Sequence, residues 1–367
     1  MKSLIAIMIL AVALLFFIDT SCAQQSEWKG KIETVDGIPH IFNPQEPLYR
    51  GTILSLKNPL RIGEAAGKEE YMFQEIGAIE VDDAERIYIS DWKESHIKIY
   101  DKSGVYLITL GRKGQGPGEF ERINRLQIVD GRKLVVYDGN LKRLSVFSLD
   151  GDFEKSIPIQ MLSPLDVRLI SDGNFFVKAA HLDPVSAKAE IAVKLFNHEF
   201  KLIKVLATEK PQDVFTPFQP YFVWGLFTNN DILLGNNESY VFNILDPRGE
   251  VLKTVSRDYK PIPIPDEERK IQLKNLQQPS NKKVPSHYPA YQGITTDAEN
   301  RAIVQTWEKP KQGGGFYYDV FNFEGKFLAR IILKFPPRLW KKNRLYTIEE
   351  DEEGMPQVVR YTVDWKI

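Results

Sequence analysis

The chain repeats itself, and the repeat restricts its fold more than any other feature does. Residues from Glu85, ERIYISDWKESHIKIYDKSGVYLITLG, lie over RKLVVYDGNLKRLSVFSLDGDFEKSIP from Arg132 without a gap, at an offset of 47. Asp91 falls on Asp138, Ile97 on Leu144, Tyr100 on Phe147 and Gly104 on Gly151. Each copy has an apolar run, a polar turn, an alternating run ending in an aromatic, a glycine turn and another strand. Turns this short cannot carry a parallel crossover, so the unit is an antiparallel meander.

The same register recurs in VKLFNHEFKLIKVL from Val193, FNILDPRGEVLKTV from Phe242 and YDVFNFEGKFLARI from Tyr318. The aromatic or leucine marker falls at Tyr100, Phe147, Phe196, Leu245 and Phe321, in steps of 47, 49, 49 and 76. The front half repeats too, with Asp82 to Trp92 over Asp297 to Trp307 at an offset of 215. A sixth unit, RLYTIEEDEEGMPQVVRYTV from Arg344, has two strands around an acidic turn. Near the other end, KIETVDGIPHIF from Lys31 is a hairpin turning at Asp36-Gly37. A period near 48 residues fits one four-stranded blade. N-terminal strands joining the last blade would close the ring and leave no open array of edges. The fold expected is therefore all-β, a six-bladed β-propeller of four-stranded antiparallel blades over residues 24–367. The long step of 76 marks an insertion over 258–287, proline-rich at first, with a short helix from Glu267 to Gln277. Its Ile271, Leu273 and Leu276 are expected to cover part of one face of the disc.

Ahead of this lies a basic start and LIAIMILAVALLFFI from Leu4 to Ile18, the pattern of a secretory signal, here bounded as residues 1–23. Cleavage after Ala23 removes the one cysteine, Cys22; alternatively Cys22 is a lipidation site, although Asp19 stands where a lipobox has an aliphatic residue. The location expected is extracytoplasmic (periplasm, cell surface or secreted), with a membrane contact only through such an anchor. With 48 Lys and Arg against 49 Asp and Glu, no net field favours nucleic acid. The glycine-rich stretch LGRKGQGPGEF from Leu110 fails both phosphate-binding glycine motifs: Pro117-Gly118 replace the Lys-Ser/Thr of one, and Glu119 the last glycine of the other. A strand, RLQIVDGRKLVVYD, follows where a phosphate site needs a helix. It reads as a connector between blades.

YISDWKESHIKIYDKSGVYLITLGRKGQGPGEF, from Tyr88 to Phe120, resembles the NHL repeat of six-bladed β-propellers. With FNPQEPL from Phe42 and LYTIEEDEEGMPQVVRYTVDW from Leu345, the chain also resembles bacterial exported six-bladed propellers of unassigned function. The resemblance implies the fold strongly and an activity weakly.

The chemistry is sparse. Asp91 and Asp138 share a strand end, but Ala179, Asn236 and Thr306 stand at the matching positions, so no acidic ring persists and the aspartates read as acceptors for turn amides. The five histidines have no metal-ligand spacing, Glu349 to Glu353 lacks the alternation of a calcium loop, and no G-x-S-x-G is present. No metal, cofactor or catalytic residue is assigned. The most site-like positions are Arg122 and Arg125, Tyr221 and Trp224 in FTPFQPYFVWGLF, His287, Tyr288 and Tyr291 in SHYPAYQG, and Trp340 in RLWKKN. All are placed at the starts of inner strands, around one mouth of the channel, where aromatics and arginines suit a small organic ligand, glycan or peptide. The reading is a monomeric, non-catalytic ligand- or protein-binding propeller. The alternatives are a metal-dependent lactonase-like hydrolase or a lyase on the same fold, and a structural part of a cell-envelope complex.

Overall fold

The computed structural model describes residues 24–64, 67–159, 164–170, 173–182, 188–209, 212–213, 217–275 and 284–367. The expected signal segment with Cys22, and Phe215 and Leu276, lie outside these residues. Six meanders follow one another. Blade 1 is Ile76–Val81, Ile87–Asp91, His96–Tyr100 and Tyr106–Leu110; blade 2 is Ile123–Val129, Lys133–Asp138, Arg143–Ser148 and Phe153–Pro158. Blade 3 is Pro164–Leu169, Phe175–Leu182, Lys188–Phe196 and Leu202–Thr208, with Gln212–Asp213 beside its third strand. Blade 4 is Phe222–Leu226, Ile232–Asn236, Val241–Leu245 and Val251–Arg257; blade 5 is Gly293–Thr296, Ala302–Gln305, Phe316–Phe321 and Phe327–Leu333. Blade 6 takes Pro337–Lys341, Arg344–Glu350 and Pro356–Trp365 from the end of the chain, and Leu54–Ile62 from near its beginning.

Blade 6 closes the ring. The first strands of neighbouring blades approach one another around the axis, so they form the wall of the channel. The core lies between blades rather than within them. Its apolar clusters each join two neighbours, for example Ile123, Leu134 and Phe147 with Tyr88 and Ile99, or Ile62, Tyr346 and Val358 with Ile79 and Ile87. Six such clusters fill the six junctions among the described residues. Each large side chain buried this way contributes about 1.5–3 kcal/mol.

The repeat seen in the sequence has atomic content. At Tyr100, Phe147, Phe196, Leu245 and Phe321 the register between third and fourth strands shifts by a bulge. Just beyond, an Asp, Asn or Ser opens the turn; Gly104, Gly151, Gly249 and Gly325 complete it at φ values of +83°, +103°, +81° and +87°, a conformation open to glycine at little cost. The offset of 215 is equally literal. Arg86 donates through Nε to Asp82 at 2.6 Å, and Arg301 to Asp297 at 2.6 Å.

The hairpin Lys31–Val35 and Ile38–Asn43 does not close the ring. Blade 6 has room for one strand, and Leu54–Ile62, nearest in sequence to blade 1, fills it in antiparallel register with Pro356–Trp365. The hairpin instead extends blade 4, its second strand pairing parallel with Val251–Arg257. Asn43 is 2% exposed and pins it. Its Nδ2 donates to the carbonyls of Ser256 (3.0 Å) and Gly325 (2.8 Å), and its Oδ1 accepts from Phe327 N (2.7 Å) and Trp28 Nε1 (3.1 Å).

The insertion pairs on itself, with Pro263 bridged to His287 and Ile264 N donating to Ser286 O. Helix α1, Asp266–Asn275, begins where expected, with three acids in its first turn. It does not cover the disc with its apolar positions, because Ile271 and Leu273 face solvent.

Candidate functional site

The strand-end aspartates are committed to the backbone. Asp138 accepts from Glu121 N (2.7 Å), Asn140 N (3.0 Å) and Leu141 N (2.9 Å), and Asp91 from Gln74 N at 2.6 Å. Each thereby ties the start of an inner strand to the turn beside it. In blade 4 Asn237 takes this role, accepting from Tyr221 N at 2.7 Å.

The glycine-rich stretch connects blades 1 and 2 and supplies its own anion. Glu119 Oε2 accepts from Gly116 N at 2.9 Å and Oε1 from Arg112 Nε at 2.8 Å. The Gly116 amide and then Arg112 hold its carboxyl below the usual range. The loop's carbonyls point the other way, where Arg143 of blade 2 donates to Gln115, Gly116 and Glu119. A loop that presents carbonyls to an arginine is a clamp between blades rather than a phosphate cradle.

The expected site residues divide into groups. Arg125 and Trp224 are joined through blade 3: Arg125 makes a two-pronged pair with Asp166 (2.6 and 2.8 Å), and Arg168 lies 5.0 Å over the Trp224 ring. Tyr221 is at the same mouth, its hydroxyl donating to Gln292 O and its ring facing Lys178 at 5.5 Å. Arg122 is turned onto Trp92, 5.5 Å away. Tyr288 belongs to a separate cluster, stacked on Trp307 at 4.3 Å with Phe218 edge-on at 5.1 Å. Its hydroxyl donates to Glu268 of α1, and burial together with that carboxylate pushes it up to about 12. His287 is exposed and paired with Ser286.

Tyr291 and Trp340 also lie away from that mouth. Tyr291 is fully buried in the junction of blades 4 and 5, where it meets Tyr240 at 5.4 Å and donates to Val241 O. Trp340 lies near the end of its inner strand, not its start, one residue from the turn at Lys342–Asn343. It therefore belongs to the opposite face of the disc, where it lines a cleft of about 350 Å³ with Trp365, Arg301 and Asp297.

Sequence reading missed the charges on the inner strands. Glu80 of blade 1 feels Lys341 of blade 6 and Arg168 of blade 3, and accepts from Val81 N and from the Ile128 amide of blade 2. Groups from four blades thus act on one carboxylate of an inner strand. Burial raises the proton affinity of Glu80, partly offset by Lys341. Burial lowers Arg168 to about 10, and Arg125 adds to the shift. Nearer the upper mouth, burial also lowers Lys178, which donates to Phe222 O at 2.7 Å, and raises Glu209, which accepts from Phe222 N. The signal was available in PLDVRL and IGAIEV, where charges interrupt strands that are otherwise apolar. Among the described residues, no three His, Cys, Asp or Glu are grouped to hold a metal ion.

Fold and closure together define a six-bladed β-propeller. The chain belongs to the DUF5128 family, described as 6-bladed beta-propeller, which it matches over residues 66–331. It is similar in structure to a Bacteroides fragilis protein named as a candidate exported protein (14% identity, TM-score 0.59, covering 86% of this chain and 96% of that one). It is also similar to a DUF4221 family member from Bacteroides vulgatus (11% identity, TM-score 0.52, covering 85% and 98%). No curated protein matches it in sequence. At these identities the likeness shows the fold alone.

Proposed function

We propose that the protein is exported and binds a small organic ligand in its central channel, without catalysis, through the mouth flanked by Tyr221 and Lys178. One observation carries this reading: Glu80, Arg168 and Lys341, on the inner strands of blades 1, 3 and 6, place interacting charges on the channel wall. Burying charge costs free energy unless something pairs it, so such a cluster is kept for what it binds. The N-terminal signal pattern and the naming of the Bacteroides fragilis relative support export. No helix among the described residues is long and apolar enough to cross a membrane.

The test is a thermal-shift screen of the purified protein against glycans, peptides and organic acids, repeated on Lys178→Met and Trp224→Phe. A ligand that stabilises the wild type should stabilise one or both variants less. If every stabilising ligand acts on both variants as strongly as on the wild type, the channel is not the site.

A further inference from the structure

We infer that the channel ligand carries a carboxylate, and that this group docks on the guanidinium of Arg168, whose side chain is 22% exposed. The inference rests on the channel reading above and narrows it to a class of ligand.

Arg168 is held in place before anything binds. Trp224 lies under its guanidinium at 5.0 Å, and Phe176 meets the indole edge-on at 6.3 Å. The Nε atom is removed from water and has no hydrogen-bond acceptor. The nearest carboxylate, Asp166, stops 3.8 Å from it. Each oxygen of Asp166 already takes a nitrogen of Arg125. One fork of the channel is thus closed by a protein carboxylate, and the neighbouring one lacks its acceptor.

Charge gives the class. Arg125, Arg168 and Lys341 stand against Asp166 and Glu80, and burial favours the protonated form of Glu80, so cations outnumber anions there. An anionic ligand balances the excess. A flat carboxylate also matches the in-plane donors of a guanidinium edge. Uronic acids and the C-terminus of a peptide both present this group.

The experiment measures binding of glucuronate, succinate and a dipeptide, with glucose and glucose 6-phosphate as comparisons, to the wild type and to Arg168→Gln and Arg168→Lys. At least one carboxylate should bind more tightly than both comparisons, and Arg168→Gln should weaken it about tenfold or more. Arg168→Lys should retain part of the affinity. Should Arg168→Gln fail to fold, Lys341→Met provides the same test, since it removes the excess charge from the other side of the channel. The glucuronate and dipeptide arms separate a sugar acid from a peptide end. The inference is overturned if no carboxylate binds, or if glucose binds as well as glucuronate and is indifferent to Arg168. In the second case the channel reading survives when Trp224→Phe or Lys178→Met still weakens glucose, and fails with it when neither does.

Discussion

Replacing Asn43 with alanine should uncouple the N-terminal hairpin from the disc without opening the ring. Four hydrogen bonds end on this one amide, and it is 2% exposed. In the alanine variant Trp28 is only half-buried, so its indole can turn to water. The Gly325 carbonyl and the Phe327 amide cannot, because both bonds are buried. The Ser256 carbonyl is intermediate. At about 1–3 kcal/mol for each buried group left unpaired, the loss is about 3–6 kcal/mol. That is a large share of the roughly 5–15 kcal/mol available to a folded protein. Urea unfolding followed by tryptophan fluorescence measures it. Hydrogen exchange at Phe327 should quicken far more than at Val359, which lies in the closing blade. Asn43→Asp should be no milder, because it sets a carboxylate against two carbonyl oxygens and removes both donors. A cost below about 1 kcal/mol for both variants would refute the argument, since the four contacts would then be replaceable by solvent.

Three further outcomes follow from the same geometry. Gly111→Ala should destabilise by about 1–3 kcal/mol in chemical denaturation, because its φ is +75° and a Cβ would meet Phe120 Cε2 at 2.3 Å. Tyr291→Ala should cost about 3–5 kcal/mol by thermal unfolding, while Tyr291→Phe should cost no more than about 1.5, as expected of packing rather than ligand contact. Burial raises Glu80 and Glu209 above the ordinary carboxyl value, so the folded state binds those protons more tightly than the unfolded chain. Stability from these two groups is therefore lost as pH rises from the ordinary value through the raised one, and Glu209→Gln should flatten the unfolding midpoint over that window; an unchanged profile would show that Glu209 does not titrate differently on folding.

Much of the fold was legible because the repeat fixes it at particular atoms. The bulge marker, the glycine turn and the Asp–Arg turn each need a given residue at a given place, and each recurs at the spacing read from the chain. The closing strand was not legible. Leu54–Ile62 contains Asn58-Pro59, a pair that reads as a turn, and Asn58 does sit at φ +50°. An outer strand accommodates this as an irregularity opposite Arg360 and Thr362, because proline's missing amide faces no partner there. The hairpin, with its clean Asp-Gly turn, looked the better candidate but had one strand too many for the vacancy. The candidate site was legible only in part. Aromatic residues near strand starts can serve a mouth or a junction between blades, and burial alone separates Tyr221 from Tyr291.

The positions where the repeat fails say more about function than those where it holds. In blades 1 and 2 the second strand ends in Asp91 or Asp138, spent on fastening the next backbone turn. Blade 3 has Ala179 there, opposite Pro164, and so has no carboxylate at this strand end to hold the backbone. Its neighbouring residues depart too: Lys178 reaches across to Phe222 of blade 4, and Asp166 and Arg168 bring charge onto the inner strand. Released from the shared fastening, blade 3 instead carries three charges on its first two strands. Their cost in desolvation is set against pairing that is complete for Arg125 and Asp166 and incomplete for Arg168. Selection for stability alone would remove Arg168 in favour of an apolar residue packed on Trp224. Arg168→Leu should therefore raise the unfolding midpoint while abolishing carboxylate binding. A lowered midpoint would mean that Arg168 serves the fold, and blade 3 would lose its claim to the site.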